Sequence, residues 1–267
     1  MKYPSLLFWL IAVIITLSSA IYQRMTGPTH PYRGSVELSG ETISYRLIRS
    51  FPLPGDAPVR VGAENREITG SFQYKRYPSH DQWQKAPMLR EGDELVAYIP
   101  EQPPAGKVMY RIALENNGEK VELPDEPIVI RFRAGVPAWA LTPHIILMFA
   151  AMLFSTRAGL AAIFRERTYR LTLWTFATLV LGGLVFGPIV QKFAFGDYWT
   201  GWPFGTDLTD NKTALAFIFW LVAVIRVGKD HRHRGWVLAA SIVLLIVYLI
   251  PHSLLGSEID WTQENLP

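Results

Sequence analysis

Two of the six histidines follow a proline at the edge of a long apolar run: His144 in TPHIILMF and His252 in LIPHSLLG. A neutral imidazole in such surroundings can ligate a b-type haem or hydrogen-bond a quinone, and ionisable groups at membrane depth are functional candidates by default. The competing reading leaves each as an interfacial histidine, bonded to a lipid headgroup or a neighbouring loop. Residues 191–213, QKFAFGDYWTGWPFGTDLTDNKT, concentrate Trp199 and Trp202 beside Asp207, Asp210 and Lys212. Three roles compete there. Thr209 or Asp210 can cap a following helix. Asp207, Thr209 and Asn211 alternate as oxygen donors to a cation, like the opening of a calcium loop, although the downstream glycine and glutamate are missing. Asp207, Asp210 and Lys212 can also form an ion-pair network with His144 or His252.

Elsewhere the chemistry is thin. His80-Asp81 in YPSHDQW has acid/base potential, but a Pro-Ser turn explains the pair as readily. Serines are present without a G-x-S-x-G elbow, and the chain has no cysteine, which excludes disulfides, thiolate catalysis and Cys-ligated metals. The residues do not point to an enzyme. A net charge of +3, with arginines scattered among short loops, gives no reason to expect nucleic acid.

The elements that must position these residues fall into two classes. Hydrophobic residues make up 49% of the 267-residue chain and charged ones 18%, and the apolar excess lies at the N-terminus and after Pro137. Mean hydropathy is +0.15. Residues 1–22 read as an N-terminal membrane anchor or a cleavable signal peptide: one Lys, an apolar stretch of about 17 residues, then Ser18-Ser19-Ala20. Residues 137–252 contain four apolar segments, near 139–154, 171–190, 214–227 and 236–250. Gly183-xxx-Gly187 inside the second points to close helix packing, and Pro188 is expected to kink or end that helix. Trp139, Trp199, Trp202, Trp236 and Trp261 fall near span ends, as an aromatic belt would.

Arginines orient the spans. Arg157, Arg165, Arg167 and Arg170 cluster in one loop, and Arg226, Lys229, Arg232 and Arg234 in another. Residues 191–213 and the tail 253–267 are acidic on balance. Positive charge stays inside. Five spans counting the anchor therefore put both arginine loops in the cytoplasm, with residues 191–213 and the C-terminus in the periplasm. The His231-Arg-His233-Arg run reads as a solvated loop or a metal tract.

Residues 23–136 change period from helical to alternating. Two strands within 34–51 turn at Ser39-Gly40, further strands are expected at 59–61, 68–77, 94–99, 108–114, 120–123 and 128–132, and Asn116-Asn117-Gly118 marks a hairpin. Seven or eight short strands favour a β-sandwich. The segment GDELVAYIPEQPPAGKVMYRIAL resembles the immunoglobulin-like and fibronectin-III-like accessory domains of bacterial envelope proteins, which implies fold alone.

Three stretches carry a wider resemblance: residues 23–29 (QRMTGPT), residues 195–213, and Pro251-His252-Ser253 with Gly256-Ser257. On these the chain resembles an uncharacterised family of bacterial inner-membrane proteins with a signal anchor, a periplasmic immunoglobulin-like sandwich and a four-span C-terminal bundle. The resemblance implies an all-β exported sandwich joined to a five-span helical bundle, but carries no activity with it. The expected function is a non-catalytic subunit or scaffold bound to the lipid bilayer and to a protein partner in membrane or periplasm. The alternative is a redox subunit holding haem b or quinone between His144 and His252.

Overall fold

A computed structural model describes residues 5–252, 256 and 258–262, without the side chain of His231. The positively charged start of the anchor (1–4), Ser253, Ser257 and Glu264 of the tail lie outside the described residues. Two compact units emerge, one from residues 1–28 and 136–256, the other from 29–135 and 257–267.

Apolar helices form the first unit. These are α1 (Ser5–Thr26), α2 (Ala138–Ile163), α3 (Tyr169–Leu179), α4 (Gly187–Phe195), α5 (Leu208–Lys229) and α6 (Arg234–Leu249). A π-helical stretch, Val180–Phe186, joins α3 to α4, so that Tyr169–Phe195 runs as one rod. Among the described residues four helices are long and apolar enough to cross a membrane: Ser5–Thr26, Ala138–Ile163, Tyr169–Phe195 and Leu208–Lys229. The chain is therefore described as a membrane protein. α6 is apolar but has only 16 residues.

Small residues set the packing. Ala151, Ala158, Ala216, Ala223 and Ala240 are buried around Trp220 and Leu244. A Cβ on Gly159 would stand 2.9 Å from Cβ of Ser241, so α2 and α6 cross where neither carries bulk. Buried threonines on α3 fold their hydroxyls back onto carbonyls four residues earlier: Thr172 onto Thr168 O at 3.0 Å and Thr175 onto Leu171 O at 2.8 Å. Neither of these two hydroxyls is left bare against hydrocarbon.

Two expectations change here. Pro188 does not end its helix. The chain widens by one residue before the proline, with Gly187 N–H bonding Gly182 O five residues back, and then continues to Phe195. A turn with i→i+5 bonds tolerates the missing proline donor, and glycines supply the room. Arg157 is not in a loop but inside α2 and 5% exposed. It bonds Glu166 at 2.6 Å, with its guanidinium over the rings of Phe8 and Trp9.

The second unit contains ten strands among the described residues, in two five-stranded sheets. The first sheet has the order β1 (Tyr32–Leu38), β2 (Glu41–Leu47), β4 (Ala57–Gly62), β8 (Glu94–Ile99), β7 (Leu89–Glu91). In the second the order is β3 (Ser50–Pro52), β10 (Glu119–Arg133), β9 (Lys107–Asn116), β5 (Thr69–Arg76), β6 (Gln84–Pro87). Pairings are antiparallel except β3 with β10. Alternation along β4 and β9 buries Val59, Val61, Val108, Tyr110 and Ile112 in one core fed by both sheets. The hairpin at Asn117-Gly118 forms, with both residues at positive φ. β3, β6 and β7 are short additional strands. The two strands expected between residues 120 and 132 are one, β10, with a register shift between Leu123 and Ile128. The tail's Trp261 belongs to this unit, donating its backbone N–H to Pro78 O at 3.0 Å, with its ring under the Arg76 guanidinium.

Candidate functional site

The polar groups singled out above meet at one end of the helical unit. α5 begins at Leu208, and its cap is Asp207 rather than Thr209 or Asp210. Asp207 Oδ1 accepts from Thr209 N–H at 2.7 Å and Asp210 N–H at 3.4 Å, satisfying donors that a helix start leaves unpaired. Asp210, three residues on, points back into the loop. Its Oδ2 accepts from Thr200 N–H at 2.7 Å, Gly201 N–H at 3.0 Å and Gln191 Nε2 at 3.1 Å. Asn211 Oδ1 takes Trp202 N–H at 2.7 Å. Trp199 closes the turn by donating its indole N–H to Trp202 O at 3.1 Å. A Cβ on Gly201 would lie 2.6 Å from that of Asp210, so this approach requires glycine.

These bonds decide between the roles offered for the loop. The carboxylate of Asp207 and the amide oxygen of Asn211 are aimed at backbone N–H groups, so the alternating donors of a calcium loop are not assembled. Among the described residues no group of three His, Asp or Glu side chains is placed to hold a metal ion. Lys212 is only 4% exposed, and its ammonium donates to the carbonyls at the end of α6: Ile250 O at 2.6 Å and Pro251 O at 3.4 Å. A cation at a helix C-terminus meets both unpaired carbonyls and the negative end of the dipole. Gln23 at the end of α1 does the same with a neutral amide, reaching Tyr248 O at 2.8 Å and Ile250 O at 3.2 Å.

The two proline-preceded histidines share this end of the unit. His144 sits nearly two turns into α2, and its Nδ1 lies 2.8 Å from Gly182 O in the π-helical stretch. A carbonyl can only accept, so Nδ1 carries a proton, and in the neutral imidazole Nε2 then keeps a lone pair. His252 follows α6 at the exposed rim, with Nδ1 3.4 Å from the Lys212 ammonium. Other contacts close in the same region: Gln23 reaches α6, Gly27 approaches Pro251, and residues 199–202 wrap Asp210.

Two features were not anticipated. One is the carbonyl at Gly182 as the orienting partner of His144, whose signal was the Gly-Gly pair before Gly187-Pro188. The other is Gln23 as a helix cap, which no spacing rule marks because its partner lies 225 residues away.

Among the described residues the sandwich contains no comparable assembly. Asp81 does not pair with His80; it forms a forked ion pair with Arg76, at 2.6 and 2.8 Å, beside a cavity of about 410 Å³. The Arg76 hydrogen bonds hold the Asp81 carboxyl below the usual carboxylate range. His80 is exposed. No protein-family model matches the chain, and no curated protein matches it in sequence.

Proposed function

We propose that the chain is a polytopic bacterial inner-membrane protein that holds an immunoglobulin-like sandwich in the periplasm and serves as a non-catalytic subunit or scaffold of an envelope complex. One observation carries this reading. The acids, amide and amine of the polar end are taken up by hydrogen bonds, chiefly to backbone groups, so the cluster ties α1, the loop, α5 and α6 together. Chemistry needs groups poised toward a substrate, whereas a clamp needs them satisfied.

Supporting arguments come from the helices. Arg165, Arg167, Arg170, Arg232 and Arg234 line a common cavity, so both arginine-rich turns lie at one end of the unit, and by the positive-inside rule that end is cytoplasmic. α6 then counts as a fifth span; its 16 residues extend about 24 Å, short of a hydrocarbon core of about 30 Å, and Ile250 and the buried Lys212 continue its end. α1 is a retained anchor on this reading: Phe8 stacks on Phe164 and Gln23 caps α6, contacts that cleavage would remove.

Two measurements test the proposal. Alkaline phosphatase fused after residue 117 or 204 should be active and fluorescent-protein fusions after residue 167 or 232 should be bright, the reverse pattern overturning the orientation. Native mass spectrometry of the chain extracted gently from its own membranes should show it bound to another protein in fixed ratio. A lone chain under those conditions refutes the subunit reading.

A second reading rests on the Nε2 lone pair that the Gly182 carbonyl leaves on His144, the arrangement a ligating histidine requires. With His252 it would hold haem b or contact a quinone, supplying electron transfer. A Soret band lost in both His144→Ala and His252→Ala supports it. A featureless spectrum after production with haem supply refutes the haem form.

A further inference from the structure

The opposite end of the helical unit has its own cavity, of about 1020 Å³, where the turn from α2 to α3 meets the turn from α5 to α6. Arg165, Arg167 and Arg170 enter from the first turn, Arg232 and Arg234 from the second, with Glu166 as the one acid in the lining. That acid is already matched, because Glu166 Oε2 binds the buried Arg157 at 2.6 Å. Arg232 is partly offset by Asp230 at 3.1 Å. Among the described residues no carboxylate comes within ion-pair distance of Arg165, Arg167, Arg170 or Arg234. Like charges gathered around an empty volume repel one another, and an anion in the middle relieves them.

Backbone geometry adds to the side chains. α3 and α6 both start at this cavity, and neither Thr168 nor His233 supplies a side-chain cap. Their first N–H groups and positive dipole ends therefore add to the arginine field. Arginine forks and uncapped amides are the donor set that recognises phosphate oxygens. Ile163, Phe164 and Trp236, one or two residues from the lining arginines in sequence, are exposed apolar side chains.

We propose that this cavity binds a phosphate-bearing anion. The exposed Ile163, Phe164 and Trp236 beside the arginine turns favour the headgroup of an anionic phospholipid, whose acyl chains would lie along them. A soluble phosphate compound would use the same donors without those side chains.

The test uses the full chain in neutral detergent, with melting followed as phosphatidylglycerol, phosphatidylcholine or inorganic pyrophosphate is titrated in. Phosphatidylglycerol should raise the melting temperature saturably, less so in high salt, and phosphatidylcholine should not. Replacing Arg165, Arg167 and Arg170 together by glutamine should weaken the apparent affinity by about tenfold or more, and the Arg232→Gln/Arg234→Gln pair, on the other turn, should weaken it independently. If one variant does not fold, the other decides. A shift with pyrophosphate as well assigns a soluble source, and a shift with phosphatidylglycerol alone assigns the lipid. The proposal is overturned if neither probe shifts the parent, or if a folded variant binds with parental affinity.

Discussion

Removing the Asp210 carboxylate separates a hydrogen-bonded clamp from a loop that merely lies on the helices. Asp210 is 7% exposed, and its Oδ2 is the acceptor for two backbone N–H groups, Thr200 and Gly201, and for Gln191 Nε2. In Asp210→Ala these donors lose a charged acceptor at once. Gly201 is buried, and an orphaned buried donor costs about 1–3 kcal/mol, whereas half-buried Thr200 regains part of its bond from water. Opening the loop should become easier by about 3 kcal/mol, on the order of a hundredfold in the opening equilibrium. Asp210→Asn keeps an oxygen in place and loses only the charge assistance, so about 1 kcal/mol is expected. Chymotrypsin can read this equilibrium, since Tyr198, Trp199 and Phe204, none followed by proline, lie in the loop. With fast reclosing, the cleavage rate follows the open population. The order should be Ala much faster than Asn, and Asn faster than parent. Cleavage of the Ala variant within about threefold of the parental rate would refute the clamp, because the acceptor would then carry none of the stability assigned to it.

Other consequences follow from the same contacts. Gly201→Ala forces a Cβ to within 2.6 Å of the Asp210 Cβ and should cost about 1–3 kcal/mol by overpacking, read as a lower melting temperature in detergent. Gly159→Ala should destabilise the α2–α6 crossing by a similar amount, and Ser241→Gly should restore most of the loss, since Cβ of Ser241 is the colliding atom at 2.9 Å; absence of rescue would show that the helices cross elsewhere. Lys212→Met leaves the carbonyls of Ile250 and Pro251 without their charged donor and should cost about 1.5–3 kcal/mol, with faster amide exchange at the end of α6. Asp81 provides a pH dependence. Its carboxyl is held below the ordinary range by Arg76, so the pair stabilises the fold above about pH 4, and that contribution is lost as pH falls through the lowered folded value. Asp81→Asn should therefore reduce stability at pH 7 by about 0.2–1 kcal/mol, a partly exposed pair being screened by solvent, and should matter progressively less in acid.

Much of the architecture was legible because it rests on local pattern. Long apolar runs can be satisfied only by helices, so α1, α2, α5 and the Tyr169–Phe195 rod were found near their observed places. Alternation in 59–61, 94–99 and 108–114 marked β4, β8 and β9 for the same kind of reason, since a half-buried strand has a period of two. Errors arose where a neighbour outweighed local rules. Pro188 was expected to kink or end its helix; the helix does not end, because the Gly182-Gly183 stretch accommodates the proline in a wider turn that packs against Leu147 and Met148. Arg157 reads as one more loop arginine until Glu166, Phe8 and Trp9 enclose it. The strands β3, β6 and β7 span only three or four residues, too few for a period to show.

The sequence by itself determined which segments are apolar helices, which are strands, and that His144, His252 and residues 191–213 belong at one end of the helical unit. Those are properties of composition and order along the chain. Only the tertiary structure decided what the polar side chains do there. A carboxylate that could hold calcium, pair with a lysine or cap a helix is chemically the same residue in each case. Which role a charged side chain takes depends on the partner within about 3 Å: Asp210 accepts from the backbone N–H groups of Thr200 and Gly201, while Lys212 donates to the carbonyl of Ile250 at the far end of α6.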